Sequence, residues 1–146
     1  MTIYIGGDHA GFELKEALKK YLQTARYEVK DFGAFTYDPE DDYPDFVIPI
    51  AKAVANDPER SRGIIIGGSG EGEAMAANRI KGVRAAVFYG GSFDIVRVSR
   101  EHNNSNILSL GARFMDDEIA KKAVDIWLNS NFQGGRHERR IKKLDI

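Results

Sequence analysis

The stretch Gly63-Ile-Ile-Ile-Gly67-Gly-Ser-Gly-Glu-Gly-Glu73-Ala-Met-Ala-Ala-Asn-Arg79 decides the fold. Three β-branched residues stop at a loop with glycine at 67, 68, 70 and 72, and helix-forming residues follow. A strand that ends in a glycine loop and restarts as a helix gathers backbone N–H groups at its carboxyl end, where anions bind. Here the loop also carries the hydroxyl of Ser69 and the carboxylates of Glu71 and Glu73. Carboxylates repel phosphate, so a loop made only to hold phosphate gains nothing from them. The combination points to chemistry.

Outward from this loop, apolar runs alternate with amphipathic segments. Strands are expected at Ile3–Gly6, Tyr27–Gly33, Gly63–Gly67, Val83–Tyr89 and Ile107–Leu110. Helices are expected over about Gly11–Thr24, Pro44–Asn56, from the glycine loop to near Gly82, Ser92–Glu101, from the cap Asp116 to about Leu128, and Arg136–Lys143. Pro44 suits a first helical turn, whereas Pro49 predicts a kink or a late start. Regular alternation predicts a single-domain, doubly wound (Rossmann-like) five-stranded parallel sheet with helices on both faces. Polar clusters then fall at strand ends: Asp8-His9 after the first, Ser69 to Glu73 after the third, Gly90 to Phe93 after the fourth and Arg113 after the fifth.

Bulk properties narrow the function classes. At 146 residues the chain is long enough for one continuous core, and a net charge of −1 favours neither nucleic acid nor an acidic membrane. The absence of cysteine excludes disulfides, thiolate metal sites and a cysteine nucleophile. The start lacks the pattern of a signal peptide and no apolar run approaches spanning length, so a cytoplasmic protein is the expectation.

The glycine loop is neither a P-loop, since no Gly-Lys-Ser/Thr follows, nor the dinucleotide fingerprint. It reads either as a tight turn whose glutamates complement the helix dipole, or as an oxyanion site with Glu73 one turn away to abstract a proton. Among three histidines, His9 stands out because it follows a strand together with Asp8. No histidine spacing argues for a metal, and none is expected. Arg136 and Arg140 share one helical face; they belong to a solvated terminal helix or, with Arg113, grip a phosphate. Bases alternate too little with aromatics for a nucleic-acid surface.

Seven motifs occur together: Gly7-Asp8-His9-Ala10-Gly11, Asp42-Tyr43-Pro44-Asp45, Gly67-Gly-Ser-Gly-Glu-Gly72, Ala76-Ala-Asn-Arg79, Gly82-Val-Arg-Ala85, His102-Asn103 and Gly134-Gly-Arg-His-Glu-Arg-Arg140. In this order, from end to end, the chain resembles the sugar-phosphate isomerase family that contains type B ribose-5-phosphate isomerase and the galactose-6-phosphate isomerase subunits. The resemblance implies one isomerase domain over residues 1–146 and a homodimer or tetramer with shared active sites. The C-terminal helix, at about 136–143, would reach the partner. Asp8, His9, Ser69 and Glu73 would come from one chain, and His102, Asn103, Arg113, Arg136 and Arg140 from the other. Many members place a cysteine base at position 67. This chain has glycine there and resembles the branch with a glutamate four residues after the loop serine, which is Glu73.

The implied reaction is conversion of ribose 5-phosphate to ribulose 5-phosphate through a cis-enediolate, without a cofactor. Glu73, Ser69, His102 and Asp8 would be catalytic: Glu73 moves a proton between C2 and C1, His102 assists ring opening, Asp8 handles a hydroxyl proton and Ser69 helps to hold the oxyanion. His9, Tyr43, Gly68, Gly70, Gly72, Asn103, Arg113, Arg136 and Arg140 would bind substrate. A six-carbon substrate such as allose or galactose 6-phosphate is the near rival. A non-catalytic phosphate- or nucleotide-binding module is the distant one.

Overall fold

The computed structural model describes residues 1–145; residue 146 lies outside the described residues. The chain runs β1 (Thr2–Gly7), α1 (Phe12–Thr24), β2 (Glu28–Asp31), α2 (Pro44–Asn56), β3 (Ser61–Gly67), α3 (Glu71–Ala77), β4 (Ala85–Phe88), α4 (Phe93–Glu101), β5 (Ile107–Gly111), α5 (Asp117–Asn129) and α6 (Arg136–Ile141). Short 3₁₀ turns at His9–Gly11 and Ala112–Phe114 follow β1 and β5. The five strands form one sheet in the order β2-β1-β3-β5-β4, and every pairing is parallel. The expected architecture is therefore the observed one.

Side-chain alternation sends successive strand residues to opposite faces, and each face buries its own apolar cluster. Ile64, Ile66, Leu108 and Leu110 pack with Leu14, Leu18, Val124 and Trp127 of α1 and α5. Ile65 and Ile107 pack with Val47, Ile50, Ala51 and Val54 of α2 on the other face. Trp127 is fully buried and its indole N–H donates to the Ser105 hydroxyl at 2.8 Å, so the largest core side chain leaves no donor unpaired. Among the described residues, no helix is long and apolar enough to cross a membrane.

Several boundaries differ from the sequence reading. The helix after the glycine loop ends at Ala77 rather than near Gly82, because the Asn78 amide clasps the backbone of Ala85, donating at 3.1 Å and accepting at 2.8 Å. That clasp ties the chain to the start of β4. The α2 helix begins at Pro44 and continues through Pro49, so there is no late start. Pro49 lies on the exposed face, where water can serve the carbonyl it leaves unbonded. The edge strands β2 and β4 are shorter than expected, since each has a neighbour on one side only. The final helix stops at Ile141.

The strand order places a switch point between β1 and β3. From β1 the chain moves outward to β2, while from β3 it moves the other way. A crevice opens at the carboxyl ends of such a pair. The Asp8-His9 and Ser69–Glu73 segments both leave the sheet there.

Candidate active site

The glycine loop holds its shape for local reasons. Gly70 has φ +81°, a conformation that side chains rarely adopt, and its carbonyl accepts from the buried Ser109 hydroxyl at 2.6 Å. The Ser69 hydroxyl accepts from the Glu71 N–H at 3.2 Å. The N–H groups of Ser69, Gly70 and Gly72 have no partner among the turn, cap and side-chain hydrogen bonds of the described residues.

Glu73 is the most unusual group. It lies in the first turn of α3, only 4% exposed, and its carboxylate is folded back against Gly67. A Cβ at position 67 would lie 1.6 Å from Oε1 and 2.1 Å from Cδ of Glu73. The carboxylate thus fills the space a side chain at 67 would need, and glycine is required there for room. Burial pushes the Glu73 carboxyl above its ordinary value; its own backbone N–H opposes this and the nearby Asp8 charge adds to it. A proton acceptor kept partly dry and raised in this way suits carbon-acid chemistry near neutral pH.

Asp8 is buried and caps the turn after β1, accepting from the Ala10 N–H at 3.0 Å. His9 follows. Its Nδ1 lies 2.7 Å from Asp41 Oδ1, and its backbone N–H donates to the same oxygen at 3.0 Å. That bond holds the imidazole above its ordinary value; burial opposes it, the Asp8 and Asp41 charges assist, and the Arg113 charge opposes. The Tyr43 ring stands over Gly72, where a Cβ would lie 2.8 Å from its hydroxyl. Asp8, His9 and Asp41 offer ligand atoms within 4.8 Å of one another. The direct His9–Asp41 hydrogen bond accounts for that closeness without an ion.

Arg113 also belongs to this group. Its N–H donates to the Gly68 carbonyl at 3.1 Å, and a Cβ on Gly68 would lie 3.2 Å from its guanidinium. The resemblance had grouped Arg113 with the residues of the partner chain. The structure corrects this: β5 ends beside β3, so the turn after β5 carries Arg113 to the glycine loop of its own chain.

The remaining predicted residues lie elsewhere. His102, Asn103, Arg136 and Arg140 line a separate cavity of about 330 Å³, together with His137, Ile141 and Leu144. The rings of His102 and His137 stack with centroids 4.3 Å apart and planes 7° apart. Burial lowers the His137 imidazole, and the His102, Arg136 and Arg140 charges add to the effect. His102 closes α4, which returns from the carboxyl edge to the amino end of β5; Asn106 there pairs with Gly63 and Arg84 at the amino ends of β3 and β4. The sheet therefore separates the two groups by the length of β3, seven residues or roughly 20 Å.

Two participants were not assigned from sequence. Asp41 is 32 residues from His9, and nothing in an acidic loop announces that contact. His137 lies inside the Gly134–Arg140 motif beside Arg136, and that membership is its signal.

Similarity to known proteins identifies the family. The model of the Ribose/Galactose Isomerase family matches residues 3–144. This chain belongs to that family. Among its curated relatives is a probable ribose-5-phosphate isomerase B of Mycoplasma genitalium, 42% identical over 98% of this chain and 93% of the relative. Another is ribose-5-phosphate isomerase B of Mycolicibacterium paratuberculosis, 41% identical over 99% of this chain and 89% of the relative. Among solved structures, the Mycoplasma genitalium enzyme with bound ribulose-5-phosphate superposes with a TM-score of 0.94 at 42% identity, covering 98% of this chain and 93% of that one. The Clostridium thermocellum ribose-5-phosphate isomerase B gives 0.93 at 44% identity, covering 99% and 95%. A family defined by sugar isomerisation fits a buried carboxylate beside unclaimed backbone N–H groups.

Proposed function

We propose that this chain interconverts ribose 5-phosphate and ribulose 5-phosphate through a cis-enediolate, with Glu73 as the base, in a cytoplasmic homodimer whose active sites are shared. The observation that carries the reading is the Glu73 carboxylate, buried at the switch point and seated against Gly67. The substrate is taken from the relatives, named for this reaction at 41–42% identity over nearly the whole chain. A cytoplasmic location accords with a doubly charged sugar phosphate, which bilayers exclude.

Once the sugar ring is open, Glu73 removes the C2 proton and the electron pair shifts onto the carbonyl oxygen at C1. The N–H groups of the Ser69–Gly72 turn and the Ser69 hydroxyl stabilise that oxyanion in a site with little water. Asp8 handles a hydroxyl proton while Glu73 delivers its proton to C1, which completes the ketose. His102 assists ring opening. Arg113 and His9 from this side, and Arg136, Arg140 and Asn103 from the other, hold the phosphate end. Tyr43 contributes to substrate binding beside Gly72.

The position of His102 and the arginine pair supports the shared site. Groups at the amino edge of a sheet cannot meet Glu73 at the carboxyl edge of the same sheet. A second copy presenting its amino edge and α6 brings them together, and closed two-fold symmetry makes two equal sites. The test is turnover of ribose 5-phosphate, with allose 6-phosphate in parallel, in heavy water. Ribose 5-phosphate turnover with solvent deuterium at the substrate carbon is the expected result. Turnover of the six-carbon sugar alone transfers the mechanism to that substrate. No turnover and no exchange would leave a binding module.

A further inference from the structure

We propose that Asp41 is a positioning residue for this reaction: its carboxylate holds the His9 ring by Nδ1–H and so presents the Nε2 edge of the charged ring as a donor to the phosphate of the sugar. The inference rests on the reading of His9 as a substrate ligand.

A single oxygen of Asp41 receives both the His9 backbone N–H, at 3.0 Å, and the ring Nδ1, at 2.7 Å. Two bonds from one residue to one atom leave the ring little freedom to turn. With a carboxylate as partner, Nδ1 carries its proton, and Nε2 becomes the nitrogen available for other work. The order of burial suits this role, since the Asp41 side chain is 9% exposed and the His9 side chain 24%. The carboxylate stands behind the ring.

The second oxygen of Asp41 is buried without a hydrogen-bond partner. Such an atom is rare in a native interior and needs a reason. A buried carboxylate with one oxygen unbonded to the protein keeps its charge undiluted, and the imidazole held by its other oxygen is placed to take it up. All the surrounding charges bear on the same ring. Asp8 faces it from its own turn, Asp41 from the loop before α2 and Arg113 from the turn after β5, while the Tyr37 ring packs edge-on at 6.3 Å. Glu73 faces Asp8 in turn. The two carboxylates on the ring favour its charged form more than burial and the guanidinium oppose it, and the charged ring donates from Nε2. If Asp41 served only to tie its loop to the turn after β1, the charge would be unnecessary and an amide would serve as well.

The substitution Asp41→Asn makes that distinction, because the amide oxygen can still accept both bonds. The whole dimer is labelled with ¹⁵N-histidine, and the His9 ring is assigned by its loss in His9→Gln. Its titration is followed beside KM and kcat for ribose 5-phosphate between pH 5.5 and 8.5. In Asp41→Asn the His9 midpoint is expected to fall. At pH 8, KM should rise roughly tenfold, the scale of one charged hydrogen bond, with a smaller change in kcat and recovery of KM toward pH 5.5. Asp41→Ala gives the same two readouts if asparagine disturbs the loop. An unmoved His9 midpoint in both variants overturns the inference and leaves the proposed reaction intact. A midpoint that falls with KM unchanged at every pH removes His9 from the substrate ligands, and the inference falls with that assignment.

Discussion

Adding one methyl group at Gly67 should disable the enzyme while every residue proposed to react is kept. The three atoms nearest to a Cβ placed at that position all belong to the Glu73 carboxylate, at 1.6, 2.1 and 2.6 Å. Ordinary contact begins at about 3.4 Å, so the carboxylate carbon must retreat by more than about 1 Å. A displacement of that size costs a reacting group about 10²-fold in rate, and complete loss of a general base about 10²- to 10⁴-fold. Gly67→Ala is therefore expected to lower kcat by about 10²-fold or more, with a small change in KM. The assay is a coupled or polarimetric measurement of ribose 5-phosphate turnover, with near-ultraviolet circular dichroism as the control for folding. The decisive comparison is the double variant Gly67→Ala/Glu73→Gln. If one carboxylate accounts for both defects, the double variant is no slower than the worse single one. A folded Gly67→Ala enzyme that keeps kcat within about threefold of the parent would refute the reasoning, since a carboxylate driven from this seat cannot be the base.

Other outcomes follow from the same geometry. Burial raises the Glu73 carboxyl, so the folded state favours its protonated form; the associated stability is present below the ordinary carboxyl range and is lost as pH rises through the raised value. Glu73→Gln should accordingly raise Tm by a few degrees at pH 7 while abolishing turnover, and the gain should vanish near pH 4; a variant less stable than the parent at pH 7 contradicts this. Arg140→Ala should raise KM for ribose 5-phosphate about tenfold or more with a smaller effect on kcat, and an unchanged KM would end the phosphate assignment. Mixing and reassociating inactive Glu73→Gln and His102→Ala dimers should restore about a quarter of parental activity, because each mixed dimer carries one intact site; mixtures that stay inactive after proven exchange exclude the shared site.

The sheet was legible in the sequence because the buried strands are short, mainly apolar runs bounded by glycine or polar residues, as Ile64 to Ile66 shows. Boundaries set by long-range contacts were not. The end of α3 depends on Asn78 reaching Ala85, and the survival of α2 past Pro49 depends on which face is exposed. The site divides in the same way. Glu73 was legible from its spacing to Ser69, but its seat against Gly67 needed the backbone path. Arg113 was found as a residue and placed in the wrong half, because sequence order does not say that β5 lies beside β3. The Asp41–His9 bond joins a loop to a turn across 32 residues, with no periodicity to signal it.

The opposite placement of Glu73 and His102 has a consequence for how such a chain changes over time. On the shared-site reading, a lone subunit folds around a complete core and carries every reacting group, yet holds no finished site. Selection for turnover then acts on the surface where two copies meet as strongly as on the residues that touch sugar. A substitution that loosens that surface would register first as lost metabolic flux, in a protein whose core is unharmed.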